Sequence, residues 1–200
     1  MFSGIIVTQG RLKGLIKTAS KISLTITVSD TSKLAKKIGD SIAVNGICLT
    51  VTQLDATEFR VDLMPETLRR TNLEKIRQGA LVNLEPALLP TTRIAGHFVL
   101  GHVDTTAMVF KRENEQTALI LTFKMPKKYL PFIAEKGSIA INGVSLTVMA
   151  VDQSGFSVSL IPLTQQITNL GSLQVGEQVN VEVDVLSRYL LRQEEVSNES

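Results

Sequence analysis

The 200-residue chain has no tryptophan, one cysteine, two histidines, two tyrosines and seven phenylalanines. A single cysteine excludes an intrachain disulfide and fits a reducing compartment, so the cytoplasm is the expected location. Few aromatics and a net charge of +2 leave neither the stacking faces nor the basic excess of a nucleic-acid binder, an oligonucleotide-binding barrel included. The N-terminal stretch carries Arg11, Lys13, Lys17 and Lys21 without an apolar signal core. Nowhere do about 18 uncharged apolar residues run together, so neither a signal peptide nor a membrane span is expected. GxGxxG after a strand, GxxxxGK[ST], GxSxG and HExxH are all missing, which removes the usual support for dinucleotide, NTP and ordinary hydrolase readings. One cysteine and two histidines five apart give no ligand cluster, so no metal is expected. What is present suffices to fold, because 44% of residues are apolar and a chain this long buries roughly 70% of its extended surface.

The chain is written twice. SIAVNGICLTV at 41–51 and SIAINGVSLTV at 138–148 are identical at eight of eleven positions, offset by 97 residues. The same offset lays Pro65, Thr67, Thr71, Asn72 and Leu73 on Pro162, Thr164, Thr168, Asn169 and Leu170. It also lays Gly79, Val82, Asn83 and Glu85 on Gly176, Val179, Asn180 and Glu182. The chain therefore reads as two copies of one domain, over 1–97 and 98–186, because two repeats are too few for a solenoid.

Within each copy the apolar spacing is two. Ile22, Leu24, Ile26 and Val28 alternate with polar residues, as, apart from Ile120, do Leu119, Leu121, Phe123 and Met125, the pattern of half-buried strands. Phe59, Val61 and Leu63 repeat it, matched by Phe156, Val158 and Leu160. Asn45-Gly46 and Asn142-Gly143 signal tight hairpin turns. With the N-terminal apolar run and Leu81 to Leu84, each copy carries about six short strands, and closure into a barrel removes their exposed edges. The fold expected is all-β: two similar six-stranded Greek-key-like β-barrels in tandem, plus a C-terminal α-helix. Short helical pieces are expected over Ser32 to Ile38, capped by Ser32, and over Pro65 to Thr71. Leu186, Tyr189 and Leu190 sit at helical spacing in a tail, 187–200 with its lead-in, that breaks the repeat. Their stripe serves either assembly or docking on its own barrel.

After the Asn-Gly turns, Cys48 and Thr50 leave the core face, and so do Ser145 and Thr147. Each copy thus presents a small nucleophile-type side chain with a Thr two residues on, roughly 7 Å away along the strand. Ordinary solvent-facing polar residues would look the same, but repetition at one offset argues for more. His102 falls opposite Ile5 at the offset and so marks one copy only. An imidazole at a Gly-flanked strand start is either a general base or a hydrogen-bonded structural group.

MFSGI at 1–5, NGICLTV at 45–51, DLMPETLRRTNL at 62–73, GHFVLGHVD at 96–104, NGVSLTV at 142–148 and IPLTQQITNL at 161–170 occur in order over the whole chain. In these motifs the chain resembles the riboflavin synthases, the family of duplicated lumazine-binding barrels. The resemblance implies a transferase without cofactor, catalysing the last step of riboflavin biosynthesis. Two 6,7-dimethyl-8-ribityllumazine molecules dismutate, one giving a four-carbon unit to the other, to yield riboflavin and 5-amino-6-(ribitylamino)uracil. It implies a homotrimer held by C-terminal helix contacts, with two lumazines in each active site between the first barrel of one subunit and the second of another. Lumazine synthase is implied as a further partner. Substrate contacts carried over in copy one are Gly4, Ile5, Ile6, Cys48, Leu49, Thr50, Asp62, Leu63, Met64, Pro65, Glu66 and Thr67. In copy two they are Gly101, His102, Val103, Lys136, Ser145, Leu146, Thr147, Ser159, Leu160, Ile161, Pro162, Leu163 and Thr164. Phe2, Ser41, Cys48, His102, Ser145 and Thr147 match positions implied in catalysis, which would deprotonate a methyl group of the donor and add a hydroxyl, thiol or water to the acceptor. Leu163 stands where copy one has Glu66, so one carboxylate contact is lost in copy two. The alternative from the same resemblance is a non-catalytic lumazine- or flavin-binding antenna protein.

Overall fold

The computed structural model describes residues 1–18 and 22–198, and Lys21 and the last two residues of the tail lie outside them. Period-two alternation becomes twelve antiparallel strands in two closed barrels. The first holds β1 (Thr8–Lys17), β2 (Ile22–Thr27), β3 (Ser41–Val44), β4 (Ile47–Leu54), β5 (Glu58–Leu63) and β6 (Leu81–Pro86), in the ring order β1-β2-β5-β4-β3-β6. The second holds β7 (Thr105–Glu115), β8 (Ala118–Lys124), β9 (Ser138–Ile141), β10 (Val144–Val151), β11 (Gly155–Leu160) and β12 (Gln178–Val183) in the equivalent order. Alternate residues fill each interior: Leu24, Ile26, Ile42, Phe59 and Val61 in one, Leu119, Leu121, Ile139 and Val158 in the other. The rings of Phe123 and Phe156 stack there with centroids 5.4 Å apart. Short helices α1 (Pro65–Arg70) and α2 (Pro162–Ile167) begin with proline, which lacks the amide that a first turn leaves unpaired.

The two Asn-Gly turns meet at the seam between the barrels. Asn45 and Gly46 both have positive φ, as do Asn142 and Gly143, which is the hairpin geometry that asparagine and glycine tolerate. A Cβ on Gly46 would stand 2.7 Å from the amide nitrogen of Gly143, and the reverse also holds, so backbone packs on backbone. Around this point the repeated asparagines hydrogen-bond across the pseudo-twofold. Asn83 Nδ2 donates to the Asn142 carbonyl at 3.0 Å and Asn180 Nδ2 donates to that of Asn45 at 2.9 Å. Asn169 Nδ2 reaches Asn45 Oδ1 at 3.0 Å and Asn72 Nδ2 reaches Asn142 Oδ1 at 3.2 Å. Buried amides of this kind are stable only when paired, which fixes the docking of the two barrels.

The copies also exchange their leading segments. The N–H of Ser145 in the second barrel donates to the Gly4 carbonyl at 2.8 Å, and that of Cys48 in the first donates to the Gly101 carbonyl at 2.9 Å. Ile6 accordingly joins the core of the second barrel, while Val103 packs against that of the first. Phe2 and Val99 exchange backbone hydrogen bonds of 2.7 and 3.1 Å where the two segments cross.

Three local expectations are corrected. Residues 32–38 do not form a capped helix: only a 3₁₀ turn, Thr31–Lys33, is present, and its cap is Asp30, whose carboxylate accepts the Ser32 N–H at 2.9 Å. The amides of Lys36 and Lys37 donate instead to Asp40 Oδ2, at 2.7 and 3.1 Å, which diverts them from helical partners. His102 lies not at a strand start but in the extended segment before β7. The C-terminal helix α3 (Val185–Asn198) starts two residues ahead of the boundary drawn at 187, because Asp184 caps it by accepting the Leu186 N–H at 3.0 Å. No helix among the described residues is long and apolar enough to cross a membrane.

Candidate active site

At the first barrel, β4 and α1 enclose a cavity of about 210 Å³ lined by Cys48, Glu66, Thr67, Arg70, Gly101, His102 and Val103, with Ile47 and Thr71. The outward face of β4 brings Cys48, half-buried, and Thr50, exposed, to this side. Leu49 and Leu63 point into the core, so they support the wall from behind. Glu66 pairs with Arg69 at 2.5 Å and with Arg70, hydrogen bonds to both guanidinium groups holding its carboxyl below the usual range. Met64 is 70% exposed beside this ion cluster, next to Pro65 at the head of α1, and Asp62 turns away to accept the Ser23 hydroxyl at 2.7 Å. The sequence reading missed Arg70, although Glu at i with Arg at i+4 on one helix is a pairing signal.

Grouping the site residues by repeat is overturned by the exchange of segments. Gly101, His102 and Val103, assigned to copy two, line the cavity of the first barrel with Cys48. Gly4 and Ile6, assigned to copy one, lie on the second barrel, where a Cβ on Gly4 would stand 2.6 Å from that of Ser145. Period-two patterning defines faces within a strand but carries no information about which barrel an extended lead segment joins.

At the second barrel, Ser145 is half-buried on the outer face of β10, with Thr147 exposed two residues on and Leu146 partly buried against the core. His97 Nδ1 lies 2.7 Å from Ser145 Oγ. Nε2 of this ring is buried without a partner, and burial pushes its pKa below the ordinary value, against the pull of Asp184. A neutral imidazole with one nitrogen on a serine hydroxyl can take that hydroxyl's proton. In the sequence His97 shows only its spacing of five from His102, which speaks against a shared metal and says nothing of a partner for it. Gly96 stands where only glycine fits: a Cβ there would meet the Ser3 carbonyl at 2.1 Å and Ser145 Cβ at 2.8 Å. Each barrel thus has a small nucleophile-type side chain and an imidazole on one side: Ser145 is hydrogen-bonded to His97, and Cys48 lines the same cavity as His102. Ser159, Ile161, Pro162 and Leu163 are exposed, Leu160 is buried in the core and Thr164 is half-buried. Lys136 is exposed at φ 65, where the offset position in the first copy is Gly39 at φ 96. A non-glycine residue in this conformation costs about 1–2 kcal/mol.

Two residues assigned to catalysis stand elsewhere. Phe2 is fully buried at the seam with Ala43, Val99 and Ala140, and lines neither cavity. Ser41 pairs with Thr50 across β3 and β4 but opens on a separate cavity of about 420 Å³, which Ile5, Val7, Leu34, Leu88 and Arg93 also line. Among the described residues no group of three His, Cys, Asp or Glu side chains could hold a metal ion.

The Lumazine binding domain family matches this chain twice, over residues 3–87 and 100–184. The chain is 44% identical to riboflavin synthase of Photobacterium phosphoreum, covering 96% of this chain and 88% of that protein. It is 40% identical to that of Bacillus subtilis (strain 168), covering 100% and 93%, and 42% identical to that of Mycobacterium tuberculosis (strain ATCC 25618 / H37Rv), covering 96% and 97%. Among solved structures, LumP complexed with 6,7-dimethyl-8-(1'-D-ribityl) lumazine superposes with a TM-score of 0.82 at 26% identity, covering 92% of this chain and 99% of that chain. LumP complexed with riboflavin does so at 0.84, with the same identity and coverage. Two matched domains with the same ring order, and 40–44% identity along nearly the whole chain, place it: this protein belongs to the riboflavin synthase family of duplicated lumazine-binding barrels.

Proposed function

We propose that the protein is a riboflavin synthase, dismutating two molecules of 6,7-dimethyl-8-ribityllumazine into riboflavin and 5-amino-6-(ribitylamino)uracil. The observation that carries this reading is the pair of sites, alike in construction and unlike in chemistry. Two identical substrates need two like surfaces, whereas donor and acceptor roles need those surfaces to differ. Cys48 with His102 and a Glu66–Arg70 wall meets the first requirement and, set against Ser145 with His97 and Leu163, the second. His102 and His97 supply candidate bases for methyl deprotonation, while Cys48 or Ser145, or a water beside them, supplies the nucleophile. Thr50 and Thr147 flank the nucleophiles, and Lys136 and the 159–164 segment complete the second surface. Ser41, on the separate cavity, and Phe2, buried at the seam, act from outside these two surfaces, Phe2 by holding the two lead segments together.

The protein works as a cytoplasmic homotrimer in this reading, with the first-barrel surface of one subunit facing the second-barrel surface of another. The tail supports it: Leu186, Tyr189 and Leu190 are all more than 60% exposed on one face of α3, and an apolar stripe of that kind buries against a partner. Removing the chain from Leu186 onward should yield smaller species that bind lumazine but turn it over poorly, because contact between two substrates supplies the proximity term. Sedimentation and turnover on one sample check this, and a fully active trimer would return α3 to its own barrel.

The decisive assay incubates the protein with the lumazine and no added cofactor. Riboflavin should form with two lumazines consumed for each. Tight binding without product would instead assign the chain to the non-catalytic lumazine- or flavin-binding proteins.

A further inference from the structure

We propose that Glu182 and Arg188 form a backbone clamp that positions His102, so that the last strand and the C-terminal helix of the second barrel control the chemistry of the first. This rests on the assignment of His102 to the reaction and adds the means by which its imidazole is held. Residues 100–102 cross from the second barrel to the first without a strand partner of their own, and their amides have to be satisfied by something else. Glu182, only 3% exposed on β12, does this: Oε1 accepts the Leu100 N–H at 2.7 Å, and Oε2 accepts those of Gly101 at 2.9 Å and His102 at 3.0 Å. Three donors and no acceptor around one carboxylate suit the ionised group. Burial works against ionisation and raises the pKa, with Asp104 acting in the same direction and Arg188 opposing it.

The other end of the same residue is also held. Arg188 Nη2, from α3, donates to the His102 carbonyl at 3.2 Å and to Asp104 Oδ2 at 2.9 Å, and that carboxylate oxygen also accepts the Val183 N–H at 2.9 Å. Both the amide and the carbonyl of His102 are therefore tied to elements of the second barrel, while the residue lines the cavity with Cys48. The first copy has only half of this device. Glu85 grips Ser3 N at 2.7 Å and Gly4 N at 3.0 Å, but the position equivalent to Arg188 is Thr91, in a loop rather than a helix. A double grip on the segment that carries an imidazole, and a single grip on the one that carries Ile5, is the difference expected if the imidazole has to be placed accurately. Misplacement of a reacting group by about 1 Å can cost on the order of 100-fold in rate.

Glu182→Gln keeps the size of the side chain but turns an NH₂ toward amides that need an acceptor. In the full-length protein it should lower kcat about 10- to 100-fold with KM for the lumazine within about twofold. It should also shift the His102 imidazole resonances and speed hydrogen exchange at residues 100–102. Glu85→Gln serves as the control and should leave the His102 resonances where they are. Arg188→Met, at a half-buried surface position, removes the carbonyl arm together with the ion pair to Asp104 and should move the same resonances with a smaller loss in kcat. It decides the matter if Glu182→Gln does not fold. Unmoved His102 resonances in folded Glu182→Gln, or in Arg188→Met, overturn the clamp. Displaced resonances with wild-type kcat overturn its bearing on catalysis. Lumazine turnover by the wild-type protein is measured alongside, so that failure of the enzyme reading is seen separately.

Discussion

The two barrels share strand order, turn chemistry and seam contacts, yet differ in the segment after their last strand and in the side chains beside their nucleophiles. After β6 the chain runs on through a loop, and the groove beside it stays open as the 420 Å³ cavity. After β12 it runs into α3, whose Arg188 ties the helix back to the segment ahead of β7. Beside Cys48 stand Glu66 and Arg70, whereas the offset positions near Ser145 are Leu163 and Ile167. A duplicated gene product thus keeps its barrels alike where they pack on each other and lets them diverge where they meet solvent. The physical ground is that seam positions are constrained from both sides at once, by backbone contact and by buried amides, and outer faces are not.

That comparison can be broken most severely at the imidazole present in only one lead segment. His102→Gln should lower kcat about 10²–10⁴-fold, the range of a general base, with lumazine affinity almost unchanged by fluorescence titration. Near-normal turnover would make His102 no different from its counterpart Ile5.

The next largest effect should come from the place where the barrels are most alike. Gly46→Ala forces a Cβ to 2.7 Å from the Gly143 amide nitrogen, in a backbone conformation with φ 77. Neither backbone can yield, so a loss of about 3 kcal/mol or more is expected in denaturant unfolding. Gly14→Ala, with nothing within 4 Å of the added Cβ, should change stability by less than about 1 kcal/mol.

Making the nucleophiles identical sharpens the chemical difference. Cys48→Ser should alter kcat less than about 10-fold if the side chain only donates and accepts hydrogen bonds near the acceptor. A larger fall, measured across pH, would assign the step to the thiolate, which serine cannot supply.

The smallest effect is on the pH dependence of stability, at His97. Its pKa is held below the ordinary 6.5 by burial, so the unfolded chain takes up this proton first as pH falls. Stability contributed by the neutral ring is present above 6.5 and is lost as pH drops through the depressed folded value. His97→Gln should remove that part of the slope of Tm against pH below about 6.5, and an unchanged slope would mean that the ring is not held neutral.

Much of this architecture is legible in the sequence. The offset of 97 residues predicts two domains of one fold, and the alternation in 22–28 and 119–125 places strands whose inward residues are the observed cores. Proline at 65 and 162 marks the starts of α1 and α2. Residues 32–38 depart from the expected helix because a propensity count cannot see a carboxylate arriving from Asp40 to claim two amides. The asparagines at 45, 72, 83, 142, 169 and 180 are visible as a repeated set, but their use at the seam is not, since each finds its partner more than 25 residues away.

By itself the sequence determined the duplication, the barrel class and the chemical types at each site, because these depend on spacing and composition, which are local and periodic. Only the tertiary structure decided which nucleophile meets which histidine. The lead segments at 1–7 and 98–104 are extended, and nothing in their own residues chooses a barrel. The choice is made by partners far along the chain, Glu85 and Ser145 for one segment, Glu182, Arg188 and Cys48 for the other. Satisfying buried amides is a condition on the whole fold, and it is this condition that carries His102 across the seam to Cys48.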